Sequence, residues 1–383
     1  MICVDSSPTR RLDLTPMLKS LQLENFTVFP SAKLNFGKNL NVIIGENGSG
    51  KSHLLKAAYS ALAVVASQQY RRDGAAPAGE PQLERDIANK LLAVLRPDGL
   101  GRLVRRQRGR NKCSVTCSLG EPNQVLKFKF STSAKTEVTL ECFPLQPQEK
   151  VPVFLPTREL LTIAPGFVSL YETTHLSFEE TWRDTCILLQ SPLARGPRAG
   201  QIKELLAPLE AAMGGTVELD EAGRFYLNQE SGRMEMHLIA EGLRKLAMLA
   251  RLIATGSLLN KGCLFWDEPE SNLNPKIIKT VARTILQLAA GGIQIFIATH
   301  SLFLMRELHI LKMQEFQSLD SRCFGLHFGS KGTLEVLEGK TMDDVGSIAA
   351  LDEDLQQSER YVDTEMGVAS GVSQRSGDGA SSG

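Results

Sequence analysis

The sequence predicts an α/β fold built on a mainly parallel central sheet. A short apolar strand, 41–44, enters a glycine-rich turn that opens a helix, which is the strand–turn–helix unit of such a sheet. Further along the chain, strand and helix alternate as parallel winding requires. The alternating segments are strand 263–266, helix 275–290 and strand 293–298. Period-two runs at 18–23 and 32–36 predict N-terminal antiparallel strands before this sheet.

A mixed helical and β insertion is expected between these parts. A helix at 82–95 is followed by three period-two runs that predict a small antiparallel sheet. Its strands are 113–119, 124–130 and 137–142. A further strand at 151–155, a mainly helical stretch at 160–215 and a hairpin at 215–228 complete the insertion.

These patterns predict one domain with two flanking segments. We expect an irregular extension at 1–16, a single domain at 17–361 and a disordered Gly/Ser-rich tail at 362–383. The domain divides into a first lobe 17–67, a β/basic insertion 68–150, a helical insertion 151–237 and a last lobe 238–361.

Composition excludes several classes of protein. The 383 residues are 42% hydrophobic and 22% charged, and 43 Lys and Arg balance 43 Asp and Glu, so no global field points to nucleic acid or membrane. No apolar run approaches the ~18 residues that span a bilayer, and Met1–Pro16 lacks an apolar signal core. Seven scattered cysteines form no C-x-x-C pair, which indicates neither a zinc site nor a disulfide framework. We expect a cytoplasmic protein without a membrane partner.

The glycine-rich turn matches the phosphate-binding pattern G-x-x-x-x-G-K-[ST]. Its glycines let the backbone aim successive N–H groups at phosphate oxygens, and the following helix adds its partial positive charge. Lys51 is expected to reach the β- and γ-phosphates of ATP, and Ser52 to place its hydroxyl on Mg²⁺. The alternative, a turn with a chance lysine, is disfavoured by the motifs that follow. The eight predicted ATP-binding residues are Gly45, Glu46, Asn47, Gly48, Ser49, Gly50, Lys51 and Ser52.

Two adjacent carboxylates follow the apolar strand 263–266, at the carboxyl end where ligands bind in open parallel sheets. Asp267 is expected to hold Mg²⁺ together with Ser52, directly or through water. Glu268 is expected to orient and deprotonate the attacking water. A metal ion beside the pair would relieve the repulsion between the two carboxylates. The alternative is an exposed acidic turn after a core strand.

A histidine, His300, follows the next strand of the winding, 293–298. A neutral imidazole at this edge can contact a γ-phosphate or the attacking water. The alternative is a hydrogen-bonded turn residue. The strand before His300 follows the acidic strand in the winding, so it delivers the histidine to the same sheet edge. We therefore assign catalysis to Glu268 and His300.

In order and spacing, these motifs resemble the ABC ATPase superfamily, in its soluble SMC-like and OLD-like branch of AAA-type ATP-binding proteins. Leu18–Phe26 is similar to the opening strand of that branch, Leu264–Glu268 to its Walker B motif and His300 to its switch histidine. The resemblance covers 17–60 and 238–310, and it implies a P-loop NTPase head that uses ATP and Mg²⁺ and forms a homodimer through the nucleotide.

Two additions known from the branch are not expected in this chain. Asp352-Glu353-Asp354 has the D-x-D spacing of a Toprim nuclease domain, but a solvated acidic helix explains it better. Residues 61–237 show no sustained heptads, so a long coiled coil is not predicted.

The resemblance also implies a signature segment that contacts the partner subunit's γ-phosphate. The matching residues are Ala240, Glu241 and Gly242. Ala240 stands where the superfamily has serine, so one hydroxyl contact is missing, and Arg244 or Lys245 is a candidate to compensate. The residues similar to the D-loop are Ser271, Asn272 and Leu273. No glutamine-loop glutamine is found, and Arg158 or Glu159 is the candidate for that place near the metal.

A local basic stretch carries six Lys and Arg residues between Arg102 and Lys112. It can bind nucleic-acid phosphates, or it can be a solvated loop. The stretch contains no aromatic residue, so stacking on single-stranded bases is not supported. The candidate patch for DNA is Arg105, Arg106, Arg108 and Arg110.

We expect an ATPase that drives or gates a DNA-associated or phage-defence complex with a separate effector protein. The alternative is a nucleotide-gated scaffold with slow hydrolysis that controls a partner protein. A transporter subunit is disfavoured because the Ser-Gly-Gly signature is absent, and a nuclease acting alone is disfavoured because no Toprim domain is predicted.

Overall fold

The computed structural model describes residues 18–72, 79–107, 109, 111–121, 124–144, 150–174, 176–259, 262–329 and 332–375. The extension predicted at 1–16 lies outside these residues. The strands are β1 Leu18–Phe26, β2 Phe29–Asn35, β3 Leu40–Gly45, β4 Lys112–Leu119, β5 Val125–Ser131, β6 Thr139–Cys142, β7 Val153–Leu155, β8 Gly215–Leu219, β9 Phe225–Gln229, β10 Gly232–Glu235, β11 Cys263–Asp267, β12 Gln294–Thr299, β13 Ser321–Phe328 and β14 Leu334–Gly339. The helices are α1 Lys51–Arg72, α2 Glu80–Leu95, α3 Ala164–Thr174, α4 Glu180–Gln190, α5 Ala199–Met213, α6 Glu241–Ala254, α7 Pro275–Ala290, α8 Leu302–Gln314 and α9 Ala349–Arg375.

The central sheet has six strands in the order β14-β13-β3-β12-β11-β7. All neighbouring pairs are parallel except β13 and β14, which run antiparallel. Every residue of β11 and β12 is buried, because helices or a second sheet cover both faces. The predicted α/β fold with a mainly parallel sheet is thereby confirmed.

Alternate residues of the central strands enter two different cores. Val42 and Leu264 face a core shared with α5, α6, α7 and α8. Ile43 and Phe265 face a second core, shared with α1 and the antiparallel sheet. The period-two geometry of each strand divides its side chains between the two layers. The phosphate-binding turn therefore starts from the middle of a sheet that is packed on both sides.

The second sheet is antiparallel, in the order β2-β1-β4-β5-β6. Strand β4 pairs directly with β1, with Leu21 opposite Cys117 and Leu23 opposite Val115. All four of these side chains are buried. The strands that the sequence predicted as a separate sheet in the insertion thus extend the N-terminal strands, because the apolar faces of both cover the same core above α1.

The remaining elements differ from the prediction in three places. The hairpin of β8 and β9 gains a third strand, β10. The sequence predicts a helix at 238–253, whereas α6 begins at Glu241 and a separate 3-10 turn covers Met236–Leu238. Strand β13, which the sequence did not predict, lies beside β3 in the central sheet.

Helix α9 runs past residue 362, where the sequence analysis places the start of the tail. The helix continues to Arg375, while 376–383 lie outside the described residues. Glu365 and Met366 are good helix formers, and most of the Gly and Ser residues of the tail follow them. In the described part of the chain, no helix combines the length and apolar character needed to cross a membrane.

Candidate functional site

The phosphate-binding turn joins the central strand β3 to helix α1 at the carboxyl edge of the sheet. Gly48 and Gly50 have φ of +83° and +89°, which side-chain-bearing residues rarely adopt. A Cβ on Gly50 would lie 2.5 Å from Cγ2 of Val28, in the turn between β1 and β2. The sequence pattern and the packing of this turn therefore both require glycine.

Lys51 is folded back over the turn. Its Nζ donates to the carbonyl oxygens of Gly45 at 2.7 Å and Glu46 at 3.0 Å, and the residue is 6% exposed. Burial lowers the pKa of Lys51, while the nearby carboxylates of Glu268 and Asp267 oppose that shift. The ammonium group thus lies over the turn, where phosphate oxygens could replace the two carbonyls as acceptors.

Asp267 ends strand β11 and is 7% exposed. Burial raises the pKa of its carboxyl group, and a hydrogen bond with the Ser52 hydroxyl partly offsets this. Its Oδ1 is buried and has no hydrogen-bond partner among the described residues. A hard cation such as Mg²⁺ would satisfy this oxygen.

The donor set fits magnesium bound with its substrate. Within the described ranges, no group of three or more His, Cys, Asp or Glu side chains could hold a metal ion. Magnesium commonly uses one or two protein oxygens together with phosphate oxygens and water. Ser52 and Asp267 supply two such oxygens, so the fit depends on a bound nucleotide.

Glu268 and His300 lie in contact at the same edge. The Nδ1 of His300 is 3.1 Å from Oε1 of Glu268. Glu268 has a φ of +46°, and its N–H donates to the carbonyl of Ala298 at 2.9 Å. Its side chain is 26% exposed, against 49% for His300, so the carboxylate can reach both water and the imidazole. A carboxylate placed in this way could serve as a general base.

Glu270 belongs to this cluster, although the sequence motifs did not predict it. It is 7% exposed, and its Oε1 accepts a hydrogen bond from the Thr299 hydroxyl at 2.6 Å. Its Oε2 is buried without a partner in the described part, and burial raises its pKa. The same Oε1 is 4.0 Å from Nδ1 of His300. The sequence signal for this contact was Thr299, a hydroxyl residue at the end of the strand that precedes His300.

The segments matched to the signature and the D-loop are adjacent within one subunit. Ala240 is the N-cap of α6 and makes no side-chain capping bond. A Cβ on Gly242 would lie 2.8 Å from the carbonyl oxygen of Asn272, so the D-loop segment packs closely on the helix start. The side chain of Asn272 donates to Oε1 of Glu241 at 2.9 Å.

Arg244 and Lys245 are both engaged inside their own subunit. Nε of Arg244 lies 2.8 Å from Oε1 of the buried Glu159, and Nη1 donates to the carbonyl of Ile239. Lys245 is 3% exposed. Both candidates to compensate for Ala240 thus have acceptors within their own subunit. Glu159 is likewise bound to Arg244, and Arg158 is exposed.

The basic stretch lies close to the phosphate-binding turn in space, although the two are far apart in sequence. The N–H of Arg105 donates to the carbonyl of Asn25 at 2.8 Å, and Thr27 donates to Leu103 at 2.7 Å. Val28 in the same turn is the residue that packs at Gly50. Arg106 is exposed, while Arg108 and Arg110 lie outside the described residues.

Two family models match the chain. One, described as "AAA domain, putative AbiEii toxin, Type IV TA system", matches residues 160–306. The other, described as "AAA domain", matches residues 20–141. Together the two matches span the phosphate-binding turn, the acidic strand and the histidine.

Relatives are similar over short segments. The chain is 43% identical over 58 residues to the DNA repair protein RecN of Synechocystis, a match that covers 15% of this chain and 10% of RecN. It is 28% identical over 96 residues to the DNA double-strand break repair Rad50 ATPase of Methanococcus maripaludis, covering 25% of this chain and 9% of Rad50. The chain therefore matches only about a tenth of the length of these relatives.

The similarity of fold extends over most of the chain. The SmcHead bound to the C-winged helix domain of ScpA superposes with a TM-score of 0.51 at 14% sequence identity, over 86% of this chain and 99% of that one. The motif order, the AAA-type family matches and this fold agree with the resemblance seen in the sequence. The chain has the fold of an SMC head and carries AAA-domain matches over both of its motif-bearing parts.

Proposed function

We propose that this head binds ATP with Mg²⁺ and hydrolyses it, and that Glu268 is the general base. The observation that carries the proposal is the contact between Glu268 and His300, next to the unpartnered oxygen of Asp267 and the ammonium group of Lys51. A base, a metal oxygen and a phosphate-binding cation at one sheet edge are the parts that phosphoryl transfer to water requires.

Each residue has a defined role in this reaction. Backbone N–H groups of Gly48–Lys51 would hold the phosphates, and Lys51 would exchange its two carbonyl acceptors for phosphate oxygens. Mg²⁺, held by Ser52 and Asp267, would neutralise charge on the phosphates. The water oxygen bonds to the γ-phosphorus while the bond to the bridging oxygen breaks, and Glu268 takes the water proton. His300 holds the Glu268 carboxylate in the orientation that this transfer needs.

We further propose that two copies associate through the nucleotide. The first N–H groups of a helix have no intrahelical partners and favour anions. The start of α6, with Ala240 in place of serine, would present such groups to the partner subunit's γ-phosphate. The contacts of Gly242 and Glu241 with Asn272 support a single surface made of both segments.

The cellular role we propose is a cytoplasmic ATPase that drives or gates a DNA-associated or defence complex through a separate effector protein. The relatives RecN and Rad50 are named as DNA-repair proteins, which supports a DNA-associated complex. One family model is described as a toxin–antitoxin domain, which supports a role in defence. Arg106 is exposed and lies near the β1–β2 turn, whose Val28 packs on the phosphate-binding turn. This position supports DNA contact by the basic stretch.

A nucleotide-gated scaffold with slow hydrolysis remains the second candidate. The observation that favours it is the alanine at position 240, where no hydroxyl can contact the partner's nucleotide. Both neighbouring cations, Arg244 and Lys245, are already bound within the subunit.

Steady-state ATP turnover tests the proposal, measured with Mg²⁺ or with a chelator, and with or without duplex DNA. We expect hydrolysis that needs Mg²⁺ and that DNA accelerates. Slow turnover that DNA leaves unchanged would favour the scaffold. A protein that neither binds nor hydrolyses ATP under any of these conditions would reject both candidate functions.

A further inference from the structure

Lys245 is a buried cation in the first turns of helix α6. Its residue is 3% exposed, and burial lowers its pKa to about 8. The sequence signal for this burial is helical spacing, since Met248, Leu249 and Leu252 follow at three, four and seven positions. All three are fully buried. A lysine on an apolar helix face needs a specific set of acceptors.

The acceptors of Lys245 are oxygens of two residues in the acidic turn after β11. Its Nζ donates to the backbone carbonyl of Glu268 at 2.8 Å, and to the hydroxyl and carbonyl of Ser271 at 2.5 and 3.3 Å. Among the described residues, no carboxylate oxygen lies within 4.0 Å of this amine. The contact is therefore made to the backbone of the proposed base and not to its side chain.

The backbone of Glu268 is in an unfavourable conformation. A φ of +46° in a residue with a side chain costs of order 1 kcal/mol or more and persists only where the surroundings enforce it. Its N–H is bound by Ala298 of β12, and its carbonyl is bound by Lys245. These two bonds fix the peptide groups on both sides of the Cα, and so they set the direction in which the carboxylate leaves the backbone.

We propose that Lys245 is a positioning residue for catalysis, which holds the Glu268 backbone so that its carboxylate meets His300. The inference rests on the proposed ATPase function. Without the ammonium group, Ser271 is the one donor left to the Glu268 carbonyl among the described residues, through its N–H at 3.1 Å and its hydroxyl at 3.0 Å. The acidic turn can then relax, and the carboxylate can leave the imidazole.

A purely structural role predicts a different outcome. A buried ammonium group is costly, and a methionine of similar shape would pack against the same apolar neighbours. If Lys245 served only stability, its replacement would change the unfolding free energy and leave the chemical step intact. If it positions Glu268, the replacement slows the chemical step while ATP binding stays the same.

The test is a double-mutant cycle in single-turnover ATP hydrolysis, with Lys245→Met, Glu268→Gln and the combined variant. We expect Lys245→Met alone to slow the chemical step by roughly 10- to 100-fold, the scale of a misplaced catalytic group. Its Kd for ATP should stay within about twofold of wild type, since the phosphate-binding turn is untouched. In the Glu268→Gln background, the same change should have no further effect, because no base remains to be positioned.

Arg251→Met is the matched control. Arg251 is a second buried cation on α6, and it binds the carbonyls of Leu189 and Ser191, away from the acidic turn. Its loss should lower stability and leave the single-turnover rate of the folded protein unchanged. Lys245→Gln keeps a shorter N–H donor and should retain an intermediate rate.

Several outcomes would overturn the inference. These are a wild-type rate in Lys245→Met, an equal slowing in the Glu268→Gln background, and a loss of ATP affinity that accounts for the defect. If neither Lys245 variant folds, the residue serves stability and the inference fails. Absent hydrolysis by wild type would instead reject the ATPase proposal, so the two failures are distinguishable.

Discussion

The Nδ1 of His300 lies 3.1 Å from Oε1 of Glu268, although 32 positions separate the two residues in the chain. The contact exists because β11 and β12 are parallel neighbours, with Asp267 opposite Ala298. Each strand then delivers the residue that follows it to the same edge. The carboxylate thereby acquires a polar partner that can fix its direction while one side stays open to water.

Replacing the general base should stall the chemistry and keep the nucleotide bound. Glu268→Gln preserves size and loses basicity, so turnover should fall by roughly 10²-fold or more. ATP should accumulate in the site and favour the dimer, which light scattering would detect. A variant that hydrolyses ATP at the wild-type rate would show that the base is another residue.

Removing the phosphate-binding cation should abolish tight ATP binding. In Lys51→Ala, the β- and γ-phosphates lose their nearest fixed positive charge. Calorimetric titration should show no saturable binding at concentrations that saturate wild type. Unchanged affinity would contradict the assignment of the turn.

The basic stretch makes a prediction about salt. If Arg105, Arg106, Arg108 and Arg110 all contact duplex DNA, replacing the four with alanine should flatten the plot of log affinity against log salt by ~3 units or more. DNA-free ATP turnover should be retained, because the Arg105 contact to the end of β1, at Asn25, is made by its backbone N–H. Wild-type DNA affinity at low and high salt would remove DNA from the role of this stretch and favour the scaffold.

The hydroxyl of Thr299 should contribute measurably to stability. It donates to Glu270 and accepts from the N–H of Ser301 at 3.0 Å, so Thr299→Val leaves both groups without this partner. We expect a loss of about 1–3 kcal/mol in the unfolding free energy, measured by urea titration.

Thr284→Val is the control for that substitution. Thr284 is equally buried, but its hydroxyl donates to the helical carbonyl of Thr280, which has a backbone donor as well. Its loss should be smaller than that of Thr299→Val. Equal losses would show that the Glu270 contact has no special weight.

Lys245 should make stability depend on alkaline pH. Its folded pKa of about 8 is below the unfolded value of 10.5, so between these two values the unfolded chain binds the proton that the folded chain has released. Wild-type stability relative to Lys245→Met should be constant below about pH 8 and should rise above it, by up to about 1.4 kcal/mol per pH unit. Urea unfolding at several pH values measures this difference. A difference that does not change with pH would contradict the lowered pKa.

Local motifs are what the sequence determined by itself. The phosphate-binding turn, the acidic pair and the strand–helix alternation are set by contiguous residues, because turn geometry and side-chain periodicity act over a few positions. These were enough to predict the α/β fold and to place Lys51, at a helix start, and Asp267, Glu268 and His300, at strand ends, on one edge of the sheet.

The tertiary structure decided which distant groups meet. The pairing of β4 with β1 depends on a core that the two strands share. From the sequence alone, β1 with β2 and β4 with β5 could equally form two separate hairpins. Strand β13 was missed because it is buried as a central strand and shows no regular alternation, while Gly325 interrupts its apolar run.

The contacts of Lys245 with Glu268 and of Thr299 with Glu270 bring together residues more than 20 positions apart. Only the packing of α6, β11 and β12 sets such distances, because local periodicity assigns a side chain to a face and leaves its partner undetermined.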